Sequence, residues 1–237
     1  MPTLDKMLER YYASRLNTLA VTAACLGVLG GFIRIFWFTP IDSYQGVVQK
    51  IFYIHLPCAI GAFTAFFGVF VASIAFLAVR KDVFDDLASS LAEVGVACCS
   101  LVLITGPIWA KPAWGAYWTW DNRLTTTLIL WVLYVGYLLL RHLSLESEQG
   151  KRAAAVLGII AFLDVPIVRM SVKWWRSIHP SVLSGQKGTG LDRPMVETLW
   201  ISLLTFLFFF AVLLVERFAL ARAKTLLKKV RMQMEVC

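Results

Sequence analysis

Polar and apolar positions along the chain sort into six long apolar runs separated by polar breaks. The first spans Leu16 to Phe38 and stops at Thr39-Pro40; the second spans Lys50 to Val79 and returns to water at Arg80-Lys81-Asp82. The third runs from Leu87 to Ile108, and the fourth from Leu124 to Leu140, closed by Arg141-His142. A fifth covers Ala153 to Met170 and a sixth Met195 to Val215. Crossing the hydrocarbon core takes roughly 20 apolar residues as a helix, whereas barrel strands alternate over about ten. The pattern therefore predicts an all-α polytopic membrane protein with six transmembrane helices, one membrane domain over residues 1–237. A polar amphipathic segment precedes the first run and a basic tail follows the last.

Composition agrees: 59% hydrophobic and 16% charged residues, with mean hydropathy +0.70, exclude an ordinary soluble domain. The net charge of +8 is not a nucleic-acid signal, because the basic residues cluster at helix ends, where topology and anionic lipid account for them. The five cysteines form no C-x-x-C and no pair in an outer loop, which argues against a disulfide framework. Lys and Arg in the loops orient the chain. With the N-terminus inside, fourteen fall on the inner side and eight on the outer, so both termini are expected in the cytoplasm. Five of the outer eight lie between residues 169 and 193, an excess that topology does not explain.

The chemistry concentrates at the outer side. The stretch Trp114 to Thr125 carries Trp114, Tyr117, Trp118 and Trp120 beside Asp121. Read as an extended segment, the three tryptophans share a face; read as a helix, Trp114, Tyr117 and Trp118 do. Either geometry makes an apolar shelf with an acidic edge, and the competing reading is an interfacial aromatic belt. A belt populates both interfaces, yet all nine tryptophans fall toward the outer face, including Trp131 at a depth of roughly 10 Å. That one-sidedness favours a flat apolar ligand.

Three histidines are present. His142 reads as a helix-end residue. His55 lies inside the second span, where an ionisable side chain is costly and either pairs with a neighbouring helix or serves a function. His179 lies in the long outer loop (171–195), after Trp174 and Trp175. Two imidazoles flanking an aromatic shelf suit the axial ligands of a haem iron, while zinc wants three or four ligands. Cys58 is a further ligand or, more plainly, a small packing residue. Two haem propionates need cationic partners, and Arg34, Arg123, Arg169, Lys173 and Arg176 are candidates, each also readable as an interfacial snorkeller. Asp121 either orients a ring N–H or caps the fourth helix. Asp164 is expected to pair with one of the basic groups, and Glu93 has no evident partner in the sequence. The run Gly185 to Gly190 lacks the Gly-Lys-Ser/Thr ending of a phosphate loop, so no ATP site is expected.

Three motifs together resemble one family. W-G-x-x-W-x-W-D-x-R-L-T (Trp114 to Thr125), Y-I-H-x-P around His55 and V-x-W-W-x-x-x-H around His179 are similar to the cytochrome c maturation protein C (CcmC) family, of the haem-handling "WWD" type. The longer CcmF proteins carry similar tryptophans, and CcsA proteins read Lys-Glu-Thr where this chain has Arg123-Leu124-Thr125. Pro180 and Asp164 depart from the pattern, where Gln and Asn are expected. The resemblance implies a multi-pass protein of the bacterial inner membrane or the mitochondrial inner membrane. It implies that non-covalent haem b is held at the periplasmic face on Trp114, Trp118, Trp120, Asp121, Arg123 and Arg176, with His55 and His179 on the iron. It further implies delivery to the haem chaperone CcmE, with the ABC transporter subunits CcmA and CcmB and the small protein CcmD as partners. In that scheme the chain is not an enzyme, and ATP is hydrolysed by a separate subunit. The alternative is a b-type cytochrome subunit of a membrane oxidoreductase. That class pairs histidines on facing helices, whereas here one ligand lies in a loop.

Overall fold

The computed structural model describes residues 2–13, 15–144, 147–175 and 191–236. Their elements are α1 (Pro2–Ala13), α2 (Arg15–Ile33) with a π-helical turn (Arg34–Phe38), a 3-10 turn (Val47–Ile51) leading into α3 (Phe52–Val79), α4 (Asp82–Trp114), α5 (Asn122–Leu143), α6 (Glu148–Phe162), α7 (Asp164–Trp174) and α8 (Arg193–Val236). Six stretches are long and apolar enough to cross a membrane: Arg15–Phe38, Val47–Val79, Asp82–Pro112, Asn122–Leu143, Glu148–Trp174 and Arg193–Met234. The all-α, six-span expectation holds.

The most extensive helix pairing is α3 against α4. Glycines allow it. A Cβ on Gly95 would meet Phe66 at 2.5 Å, and one on Gly68 would meet Leu91 at 2.8 Å, so neither position has room for a side chain. Small residues let helix backbones approach closely in a membrane, where van der Waals packing replaces the hydrophobic drive. Phe66 then stacks on Tyr134 of α5, ring centroids 3.8 Å apart and nearly parallel. Gly27 and Gly31 of α2 face the Thr205 methyl of α8 less tightly: a Cβ on either would lie 3.4 and 3.6 Å from it respectively, in ordinary van der Waals contact.

Three elements differ from the apolar pattern, each for a physical reason. The fifth span is two helices that meet at Leu163, and Pro166, in the first turn of α7, has no N–H to give the Phe162 carbonyl. The basic tail continues α8 without a break, to 44 residues, a rod of about 66 Å. Ala, Leu, Lys and Arg favour helix, and Arg222 anchors it to Asp5 of α1 and Asp86 of α4 at 3.0 and 3.2 Å. The last outer segment also shrinks: α7 runs through Trp174 and α8 starts at Arg193, inside the expected 171–195 loop.

At the end of the bundle opposite the Trp-rich loop, α4 starts with three carboxylates that gather the other helices. Asp82 takes Lys151 of α6 and Lys229 of α8, both at 2.6 Å. Asp85 pairs with Arg141 of α5, and Asp86 accepts from Thr225 at 2.7 Å as well as from Arg222. Glu93 does have a partner, Arg217 of α8. Asp164 is buried with its Oδ2 unbonded among the described residues, so its expected basic partner is not found there.

A methyl group at Gly95 must push the Phe66 ring, and overpacking of this kind costs about 1–3 kcal/mol. Gly95→Ala is therefore expected to lower the melting temperature of the detergent-solubilised protein. Gly30→Ala, where nothing lies within 4 Å of the added carbon, is expected to leave it unchanged or raised.

Candidate haem site

The Trp-rich end is built from the start of α3, the end of α4, the start of α5 and the end of α7. His55 sits in the first turns of α3 and faces α4, its Nδ1 2.9 Å from the Thr105 hydroxyl oxygen. That hydroxyl donates to the Leu101 carbonyl at 2.6 Å. Trp109, one turn further along α4, presents its ring edge-on to both His55 and Phe52, at centroid distances of 5.9 and 6.0 Å. Its indole N–H donates to Gln45 at 2.8 Å, so the ring orientation is held from the loop side too.

The helix α4 ends at Gly115, whose φ of +79° is the left-handed stop that glycine supplies without steric cost. The Lys111 ammonium donates to the Gly115 carbonyl at 2.8 Å and lies 5.3 Å from the centre of the Tyr117 ring. The stretch that follows is neither a regular strand nor a helix. Trp120 has φ +53°, a conformation uncommon for a bulky side chain, which breaks the alternation an extended run would have. Trp118 and Trp120 consequently meet edge to face, centroids 5.6 Å apart at 84°. Asp121 then caps α5, its carboxylate accepting from the Arg123 backbone N–H at 3.0 Å.

These elements enclose a cavity of about 670 Å³ between α3, α4, α5 and α7. Its walls are largely apolar, with Ala59, Ala62, Phe63, Leu103, Leu130 and Val168 among them. His55, Trp109 and Trp114 add aromatic surface, and Arg123, Arg169 and Lys173 add charge. Among the described residues its lining contains three cations and no carboxylate. Of the residues singled out in the sequence, His55, Trp114 and Arg123 thus meet at one cavity. Trp118, Trp120 and Asp121 stand in the adjoining loop and are not among the lining residues. Arg176 and His179 lie outside the described residues. Arg34 turns instead to α8, with Glu197 at 3.5 Å and Thr198 at 3.2 Å. Cys58 is fully buried and is not part of the lining.

Sequence reasoning named Arg169 and Lys173 only among several cations. Their spacing of four on one helix face was the available signal. It gave no role to Thr105 or Gln45, whose partners are 50 and 64 residues away in the chain.

Six helices long and apolar enough to cross a membrane, with a cavity at one end of the bundle whose lining among the described residues is largely apolar and carries three cations, define a polytopic membrane protein. The family model described as "Heme exporter protein C", CcmC, matches residues 5–235. Heme exporter protein C of Bradyrhizobium diazoefficiens is 34% identical over 193 residues, 81% of this chain and 72% of that protein. The Escherichia coli K12 protein of the same name is 34% identical over 187 residues, covering 79% and 76%. A putative cytochrome c biosynthesis ccmC-like mitochondrial protein of Marchantia polymorpha is 30% identical over 172 residues, 73% of each chain. The chain belongs to the CcmC family.

Removing the α5 cap isolates the structural part of Asp121. Asp121→Ala is expected to destabilise the protein by about 1 kcal/mol, whereas Asn caps as well as Asp. Asp121→Asn should therefore keep the wild-type melting temperature in a thermal scan while Asp121→Ala falls below it.

Proposed function

We propose that this protein is a haem-handling component of cytochrome c biogenesis that carries non-covalent haem b as cargo in the cavity beside the Trp-rich loop. The observation that carries the reading is the lining itself: apolar and aromatic walls, one imidazole, and three cations with no carboxylate among the described residues. The volume of about 670 Å³ falls within the roughly 300–1,000 Å³ typical of small-molecule and cofactor sites. Desolvated carboxylates require charge-assisted partners, and Arg offers a bidentate fork for them. Arg123, Arg169 and Lys173 fill that role for the propionates, with Arg176 as a further candidate. His55 and His179 are the axial ligands, and Trp114 gives the macrocycle an apolar face. Trp118 and Trp120 extend the same aromatic surface outward, to where haem leaves.

The position is the periplasmic rim of a bacterial inner membrane, or the equivalent side of the mitochondrial inner membrane, with both termini in the cytoplasm. The bias of Lys and Arg supports this orientation. Haem passes to the chaperone CcmE, and CcmA, CcmB and CcmD complete the assembly, with ATP hydrolysed outside this chain. The names of the relatives, haem exporter and cytochrome c biosynthesis protein, support the pathway. The whole chain acts as one membrane domain in this scheme.

The test is haem content and absorption spectrum of the purified protein. His55→Ala and His179→Ala are each expected to lose most bound haem. Replacing Arg123 or Arg169 with Gln removes a charge-assisted hydrogen bond of about 1.5–3 kcal/mol, which is roughly tenfold or more in affinity. Unchanged haem content and spectrum in both histidine variants would contradict the proposal.

A further inference from the structure

We infer that Thr105 is a positioning residue for the haem ligand His55: its hydroxyl oxygen accepts a hydrogen bond from Nδ1–H and so fixes the imidazole in the tautomer whose Nε2 binds iron. The inference rests on the reading of His55 as an axial ligand and adds a residue to it. The geometry is a short relay. A threonine hydroxyl has one proton, and here it is committed to the Leu101 carbonyl at 2.6 Å, with the Val102 carbonyl a longer 3.5 Å away. What the oxygen offers to Nδ1, at 2.9 Å, is therefore a lone pair. A lone pair facing a ring nitrogen requires that nitrogen to carry the hydrogen, so Nδ1 is the donor and Nε2 the basic nitrogen. Metal-ligating histidines commonly donate their second N–H in this way, to a carboxylate, carbonyl or water.

The identity of the acceptor matters as much as its place. A carboxylate on Nδ1 would give the ring imidazolate character and strengthen its bond to iron. A neutral hydroxyl supports the tautomer and raises the basicity of Nε2, though by less than a carboxylate would. That suits a ligand that must hold its cargo and then surrender it. The relay is also rigid. Leu101, Val102 and Thr105 belong to one helix, and His55 to the helix packed most extensively on it. Gly106 lies beside the ring: a Cβ there would sit 3.5 Å from it, in ordinary van der Waals contact.

The experiment compares the full-length wild type in detergent with Thr105→Val and Thr105→Ser by haem titration and by redox titration of the bound haem. Thr105→Val is nearly isosteric and removes the acceptor. It is expected to weaken haem binding about tenfold or more, in the range seen when such supporting groups are lost, and to raise the reduction potential. Thr105→Ser keeps the hydroxyl and should restore both. Equal affinity and equal potential in Thr105→Val and wild type would overturn the inference. A second arm does not depend on how the valine variant folds. In His55→Gly, added imidazole is expected to restore the haem spectrum better than 1-methylimidazole, which has no N–H for Thr105. Equal rescue by the two compounds would also overturn it. If His55→Gly keeps wild-type haem binding with no addition, the axial-ligand reading fails instead, and the two failures are told apart.

Discussion

The close contact of α3 with α4 is the constraint on which the rest of the molecule depends. Gly68 and Gly95 bring the two backbones together where any Cβ would collide with Leu91 or Phe66. That approach sets the register of the two helices, and the register places His55 against Thr105 and Trp109 at the end of the pair beside the Trp-rich loop. It also turns Phe66 onto Tyr134, which draws α5 into the same core. The cavity is the space left where α5 packs on α4 and α7 packs on α5. Loosening the contact would move the imidazole and its hydrogen-bond partner apart, since they sit on different helices.

The two ends of the bundle handle charge in opposite ways. At the start of α4, Asp82, Asp85 and Asp86 are each matched by a basic side chain from another helix, and Glu93 is matched by Arg217. Removing one partner of a buried pair is far more costly than the pair is favourable, so this end fixes which helices neighbour α4. At the other end, Arg123, Arg169 and Lys173 line the cavity with no carboxylate beside them in the lining among the described residues. Cations gathered beside apolar walls, with the Asp121 carboxylate near Arg123 standing outside the lining, are what an amphiphilic dianion would complete. One end of the molecule is thus electrostatically closed and the other is open to a ligand.

Much of this was legible in the chain as written. Runs of apolar residues located all six spans, since length and hydropathy alone decide whether a helix can cross, but they missed the far end of the sixth, which was expected at Val215 and runs on through the basic tail to Val236. His55 stood out because an ionisable group inside a span is costly, and Asp121 before Asn122 carried an ordinary capping signal. Features set by distant contacts were not legible. Nothing local to Glu93 points to Arg217, 124 residues on, and nothing local to Thr105 points to His55. The left-handed turn at Trp120 was hidden for another reason. Its immediate neighbours carry no glycine to announce it, and it falls in the short connection between the Gly115 stop and the α5 cap. Arg176 and His179 belong to the proposed site on motif grounds alone.

A cryo-electron microscopy map of the haem-loaded protein will decide whether haem sits between α3, α4, α5 and α7 with His55 on its iron. Porphyrin density is expected in the cavity, with iron bonded to His55 Nε2 and propionates against Arg123, Arg169 or Lys173. Porphyrin density elsewhere, with the His55 ring remote from the iron, would contradict it.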